Sequence, residues 1–342
     1  MGSTAKRGKS APLPLEGELS FVPSSTSMSL SLDHETRLAL SASLQRLQAR
    51  ASAMLPAEID ISEACRHLQH SRACPGAVAA YYELVAALQA GRRADAAACW
   101  RRIAARPVIP DELLALPFTP EVLGEDAARF QRLLSVGWRA PQIFAVPGPA
   151  EIDCFKATVP AALQLLSAVA PAWRAELESL LGRIYGAMPT GAAGQGFAGA
   201  SSRLVWGAVF VNIARNNARV PMLVTLCHEA SHQLLFGLSL HAPLTLNPPE
   251  QRFVSPLRND PRPMDGVYHA TFVAARLSLL YALLRDHAGL TPPERALAAS
   301  RVPDMRRRFE QGRAVVDAQG ELSPLGRQLL DAASAKVAAL FA

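Results

Sequence analysis

Cysteine, lysine and aromatic side chains are all scarce in this 342-residue chain. Its five cysteines, Cys65, Cys74, Cys99, Cys154 and Cys227, show no CxxC spacing. Odd in number and scattered, they argue against a disulfide framework and a cysteine-based zinc site, and read as reduced thiols. Aromatics at 6% leave the core to Ala, Leu and Val, a composition that leans helical. No uninterrupted apolar run reaches the ~18 residues of a spanning helix, so no membrane partner is expected. The opening MGSTAKRGKSAPLPLEGEL lacks an apolar secretory segment, which places the expected chain in the cytoplasm. Arginine supplies nearly all of the net charge of +6, with its densest run at Arg306, Arg307 and Arg308. No basic stripe is interleaved with aromatics, so nucleic acid is not an expected partner. A basic surface also suits an acidic peptide or a small dicarboxylate.

Half of the residues are apolar, enough for a sizeable core. Residues 1–32 are Pro- and Ser-rich and read as an extended or flexible arm. Residues 33–150 read as a helical N-terminal part. Helix spacing recurs from Asp33 to Met54, again over 62–73, and in two helices broken at Gly91. Pro107 to Pro120 is a proline-punctuated connection, followed by a helix at about 122–136 and an extended or looped stretch over 139–155. Residues 151–342 form the expected metal-binding part. Within it, 158–187 reads as one long helix or two broken at Pro171, and GAAGQGFAGASS (191–202) as a loop over a site. That loop has neither GxGxxG nor Lys-Ser/Thr, so it is no phosphate cradle. LVWGAVFVNI (204–213) is the clearest strand, ending in the turn signal Arg215-Asn216-Asn217. The expected fold is mainly α with a small β-sheet beside the next helix, not a cupin or jelly-roll barrel.

That helix, PMLVTLCHEASHQLLF, opens with Pro221 in its first turn and stops at Gly237. It carries HEASH: His228, Glu229 and His232. Histidines at i and i+4 project from one helix face, one turn apart, and their ring nitrogens can converge on one cation. A shuffled chain of this composition would contain HExxH only about 0.01 times.

A third ligand is needed. His241 breaks the HExxHxxGxxH spacing, because Leu235 and Leu238 stand where that Gly and His would be. Glu250 lies in NPPEQ, where two prolines would have to open a second helix. His269 lies near the start of a strongly periodic apolar helix beginning near Asp265, and is the preferred third ligand. Arg276 follows two turns later on the same face. A charge in such a helix calls for a partner, either a structural carboxylate or a bound one. Arg258 and Arg262 stand beside prolines in the preceding loop and are further candidates.

HEASH followed by SPLRNDPRPMDGVYHATFVAAR resembles the HExxH-motif peptide modification proteins of ribosomal-peptide natural-product clusters. The similarity covers roughly 195–285, and its specific part is the Arg-x-Asp-Pro-Arg-Pro segment with a following His. The resemblance implies an iron(II)- and 2-oxoglutarate-dependent oxygenase that hydroxylates a β-carbon in a precursor peptide. It implies iron held by His228, His232 and His269, with arginines in or after the RP segment holding the 2-oxoglutarate carboxylates. Arg276 ranks first among these by the face argument, then Arg262 and Arg258.

Two function classes therefore stand side by side. In the oxygenase, Glu229 orients a ligand or a water. In an HExxH zinc peptidase, Glu229 deprotonates a zinc-bound water, and Glu250 or His269 completes the ligand set. The arginines between His232 and Leu277 favour the oxygenase, because a peptidase has no dicarboxylate to hold.

Overall fold

The computed structural model describes residues 21, 27–135, 144–190, 197–240, 242–255 and 260–341. The chain is 67% helical, with a five-stranded sheet that does not close into a barrel, as the sequence leads one to expect. Four helices come first: α1 (Ser27–Arg50), α2 (Ser62–His70), α3 (Pro75–Gln89) and α4 (Arg93–Ala105). Pro75 at the first position starts α3, and Gly91, at φ 69°, makes the left-handed turn that parts α3 from α4.

The sheet then alternates with helices. Strand β1 is Leu114–Pro117, followed by α5 (Pro120–Leu123) and α6 (Asp126–Leu134). Next come β2 (Phe144–Ala145), α7 (Pro149–Val169), α8 (Pro171–Leu180), β3 (Arg183–Pro189), β4 (Gly199–Ala200) and β5 (Ala208–Asn212). The spatial order is β1-β3-β5-β4; β1, β3 and β5 run parallel, β4 pairs antiparallel with β5, and β2 pairs antiparallel with β3. The carboxyl half is α9 (Arg219–Leu238), α10 (Met264–Asp286), α11 (Pro292–Gln319) and α12 (Pro324–Ala339).

Two expectations give way to strands. The helix read over 158–187 ends at Leu180, and Arg183–Pro189 is a strand; Pro107–Pro120 contains β1. Parallel strands are covered on both faces and lose the apolar–polar alternation that marks an exposed strand. Ile184 of β3 and Val209 and Val211 of β5 enter the main core, while Tyr185, Ala208 and Phe210 face a second, aromatic cluster with Phe118, Phe130 and Phe144.

The main core draws residues from Phe21 to Val337, so both expected parts share it. Of the arm read over 1–32, α1 takes up residues from Ser27, and Phe21 is 1% exposed, edge-on to Phe272 at 5.1 Å. Helices α7 and α10 are long and apolar enough to cross a membrane by length and composition. The α10 window is 78% buried in the protein, and α7 exposes Asp153, Lys156, Gln164 and Ser167.

Candidate metal centre

Helix α9 sorts its side chains by face. Cys227, Ser231, Leu234 and Leu238 point into the core. His228, His232 and Phe236, spaced by four, share a half-open face. Thr225 and Glu229 turn towards β4. Helix α10 crosses α9 and brings His269 to the same opening. His228 Nε2 lies 3.3 Å from His232 Nε2, and His232 Nδ1 lies 3.3 Å from His269 Nδ1. The rings of His232 and His269 stack at 5.6 Å and 15°, with Phe236 packed against both.

The first pair has the separation of two ligands on one cation. Bonds of ~2.0–2.1 Å set at a tetrahedral angle hold their nitrogens about 3.4 Å apart. His269 joins the cluster on the other side of the His232 ring: its Nδ1 meets the nitrogen that does not face His228, and its Nε2 lies 3.6 Å from Asp265 Oδ1. Among the described residues no three His, Cys, Asp or Glu side chains converge as a ready metal-binding group. The three expected ligands are thus neighbours, with the His228–His232 pair suited to a cation and His269 adjoining it.

The rings are held neutral, the form that ligates metal. Burial depresses the pKa of His228 and His269, and takes that of His232 well below its ordinary value. A positive charge on His232 is further disfavoured by the Arg262 guanidinium and by any proton shared with its two ring neighbours. Asp265 pulls His269 the other way, and Arg203 reinforces the depression. The His228 ring, 41% exposed, is the member open to solvent.

Glu229 is 4% exposed. Burial pushes its carboxyl up to about 7, against the opposing effect of a hydrogen bond from Ser201 Oγ to Oε2 at 2.6 Å. Its Oε1 stands 3.9 Å from His228 Nε2. The segment that presents Ser201 is fixed by two asparagines. Asn212 Nδ2 donates to Phe197 O, and Asn216 Nδ2 donates to both Ala198 O and Asn212 O, each at 2.8 Å. Thr225 Oγ1 of α9 donates to Asn216 Oδ1 at 2.7 Å, locking strand, turn and helix together. Gly199 is required by this closeness: a Cβ there would meet Glu229 Oε1 at 2.6 Å and Thr225 Cγ2 at 2.7 Å.

The arginines part company. Arg276, ranked first for a ligand carboxylate, is 0% exposed and fully engaged within the protein. Its Nε donates to Ser231 Oγ and its Nη1 to Phe21 O, each at 2.9 Å; Nη2 pairs with Glu176, and the guanidinium lies 4.4 Å over the Trp173 ring. This corrects the expectation: the shared-face argument counted residues along α10 alone, whereas Glu176 arrives from α8. Arg262 is the candidate near the cluster. Paired backbone hydrogen bonds with Phe253, at 2.8 and 2.9 Å, fix its position. Its side chain runs past Gly266, a turn before His269, with Nε 3.5 Å from Asp260 Oδ2. Arg258 and His241 lie outside the described residues. Glu250 is exposed and, among the described residues, makes no hydrogen bond or ion pair with the histidines.

Sequence reasoning missed Ser201, Gly199, Asp265, Arg203 and Phe236. A Gly/Ala/Ser loop before a strand signalled a segment that can lie close to a site, but nothing marked which serine faces Glu229. A groove of about 370 Å³ between β1, α7 and α8, lined by Leu113, Val159, Leu163 and Ile184 with Arg174 at its rim, shares no residue with the histidine cluster. Compared with known protein families and with the curated proteins, the chain matches none.

Proposed function

We propose that the chain is an iron(II)- and 2-oxoglutarate-dependent oxygenase that hydroxylates a β-carbon of a residue in a ribosomally made precursor peptide. The observation that carries this reading is the meeting of His228, His232 and His269 at one opening, with Arg262 beside it and Glu229 buried and hydrogen-bonded to Ser201. The sequence resemblance supplies the reaction class. Iron(II) bound with 2-oxoglutarate supplies the oxidising power: oxygen and 2-oxoglutarate give carbon dioxide and succinate, while a β C–H becomes C–OH.

In this reading His228 and His232 would hold the metal from one helix face, and His269, which meets the far nitrogen of His232, would have to turn its ring to add a third nitrogen. Asp265 Oδ1, at 3.6 Å from His269 Nε2, is the nearest carboxylate to that ring. Arg262, pinned by its bonds to Phe253, takes the far carboxylate of 2-oxoglutarate through its planar fork. Glu229, with a pKa of about 7 and Ser201 on one oxygen, holds a proton beside His228 and positions that ring or a water. Phe236 keeps the inner side of the cluster apolar.

The alternative, an HExxH zinc peptidase, draws on the same Glu229: a carboxyl titrating near 7 beside a metal ligand is also suited to a general base. The exposed Glu250 takes no part in the cluster, so a peptidase would draw its third ligand from His269, as the oxygenase does. Anaerobic reconstitution with iron(II), followed by addition of 2-oxoglutarate, oxygen and candidate precursor peptides and by succinate and mass analysis, tests the choice. Peptide gaining one oxygen atom in step with succinate supports the oxygenase. Zinc-dependent cleavage of the peptide that Glu229→Gln abolishes would replace it with the peptidase.

A further inference from the structure

The edge strand beside the histidines has one residue whose backbone hydrogen-bonding groups face away from the sheet. Asn212 N–H donates to Ala198 O at 3.0 Å, and the register sets Gly199 opposite Val211 and Ala200 opposite Phe210. In an antiparallel ladder, hydrogen-bonded and non-hydrogen-bonded pairs alternate. Ala198 belongs to a bonded pair, so Gly199 belongs to a non-bonded one. Its N–H and C=O therefore point to the outer edge of β4, the last strand in the order β1-β3-β5-β4 among the described residues.

The pleat fixes which way a partner's side chain would project. Val211 lies on the α9 face of the sheet, and a Cβ on Gly199 would point at Glu229 and Thr225 of that helix. Residues opposite each other on paired strands send their side chains to the same face. A peptide residue bonded to the outer edge of Gly199 thus directs its β-carbon to the face where Glu229 and His228 stand. Arg203 is exposed two residues beyond Ser201, without an ion pair among the described residues, whereas Arg262 on the α10 side is set against Asp260. The chain as a whole carries a net charge of +6, which favours an acidic partner.

We propose that the substrate is an acidic peptide that adds to the free edge of β4 as an extended strand. The residue to be modified pairs its own backbone with Gly199. This rests on the reading of the histidines as a metal site, and adds to it the way the target β-carbon is chosen.

The test uses a ligand rather than a variant, because any side chain at position 199 strikes Glu229. The probe is acetyl-Glu-Ala-Xaa-Ala-Glu-amide, with Xaa an aspartyl β-hydroxamate whose side chain chelates the metal. Affinity is read from the visible spectrum of the cobalt(II)-loaded full chain, with acetohydroxamate as the anchor alone. The pentapeptide should bind more tightly than acetohydroxamate. Replacing the amide nitrogen of Xaa by an ester oxygen deletes one hydrogen bond and should raise Kd about five-fold. The same replacement at the preceding alanine should change Kd by less than about two-fold, since that N–H faces away from β4. At the following alanine it weakens the Xaa carbonyl that accepts from Gly199 N–H and should give an intermediate loss. Exchanging both glutamates for lysines should also weaken binding.

Equal losses at all three positions, or none, would sink the pairing with Gly199 and leave the metal reading standing. Unchanged or tighter binding of the lysine peptide would overturn the acidic partner. Failure of acetohydroxamate itself to perturb the cobalt spectrum would overturn the metal reading, and the edge pairing with it.

Discussion

At the scale of single residues, the two buried ionisable groups Arg276 and Glu229 behave in opposite ways. Arg276 is matched on every side, by Glu176, Ser231 and the Phe21 carbonyl. Arg276→Lys keeps the charge but loses the fork that serves three partners at once. It should lower stability by about 3–5 kcal/mol in urea unfolding while leaving the metal content of the folded fraction unchanged. Selective loss of 2-oxoglutarate binding at unchanged stability would restore Arg276 as a ligand arginine. Glu229 is a carboxyl whose folded pKa, about 7, lies above its ordinary 4.5. Below 4.5 it is protonated in both states and costs nothing. As pH rises from 4.5 towards 7 the unfolded chain releases the proton first, so stability falls, then levels off above 7. Metal-free protein should therefore lose up to about 3 kcal/mol across this window, and Glu229→Gln should flatten the curve. Equal pH slopes in the two proteins would show that Glu229 does not titrate there.

At the scale of elements, the site depends on how α9 is anchored at both ends of its histidine face. Its first residue, Arg219, pairs with Glu294 in the first turn of α11 at 2.7 Å through both carboxylate oxygens. Glu294 also closes a capping box with Thr291. The hydrogen bond to Arg219 is the main cause that brings the Glu294 carboxyl down to about 2. A depressed acid contributes its full stability above 4.5 and loses it as pH falls through about 2. Both side chains are partly solvated, so Glu294→Gln should cost only about 1–2 kcal/mol at neutral pH. It should also shift the acid-unfolding midpoint, followed by circular dichroism, to higher pH; an unchanged midpoint would remove the pair from the ledger of the fold. Most elements were legible from spacing and punctuation. Gly91 separated α3 from α4, and Pro221 and the HEASH periodicity announced α9. Of the missed strands, β1 has four residues, all half-buried, and β3 is buried over its first five, so neither shows the alternation of apolar and polar residues that would distinguish it from loop or helix.

For the whole molecule, the chain's early residues close its core. Phe21 is buried against Phe272, and its carbonyl accepts from Arg276, 255 residues away. Phe21→Ala should lower stability by about 3–5 kcal/mol, because it empties a packed aromatic position next to the buried ion pair. Differential scanning calorimetry should show one transition moved down as a whole; an unaltered transition would mean that Phe21 does not share the core.

Taken alone, the sequence determined the helical bias and the placing of His228 and His232 on one face, since each follows from local periodicity or from helix starts set by proline and glycine. That α10 brings His269 beside His232 was decided by the packing of the two helices. The sequence also determined that an arginine inside the apolar α10 must meet a partner. Which partner it meets was decided only by tertiary structure, because Glu176 lies 100 residues away on α8 and nothing in the local pattern links the two. The same holds for the covering of Glu229 by Ser201 and for the outward-facing amide of Gly199. Both depend on the register of β4 against β5, a relation between distant backbones that hydrogen bonding sets and side-chain spacing does not encode.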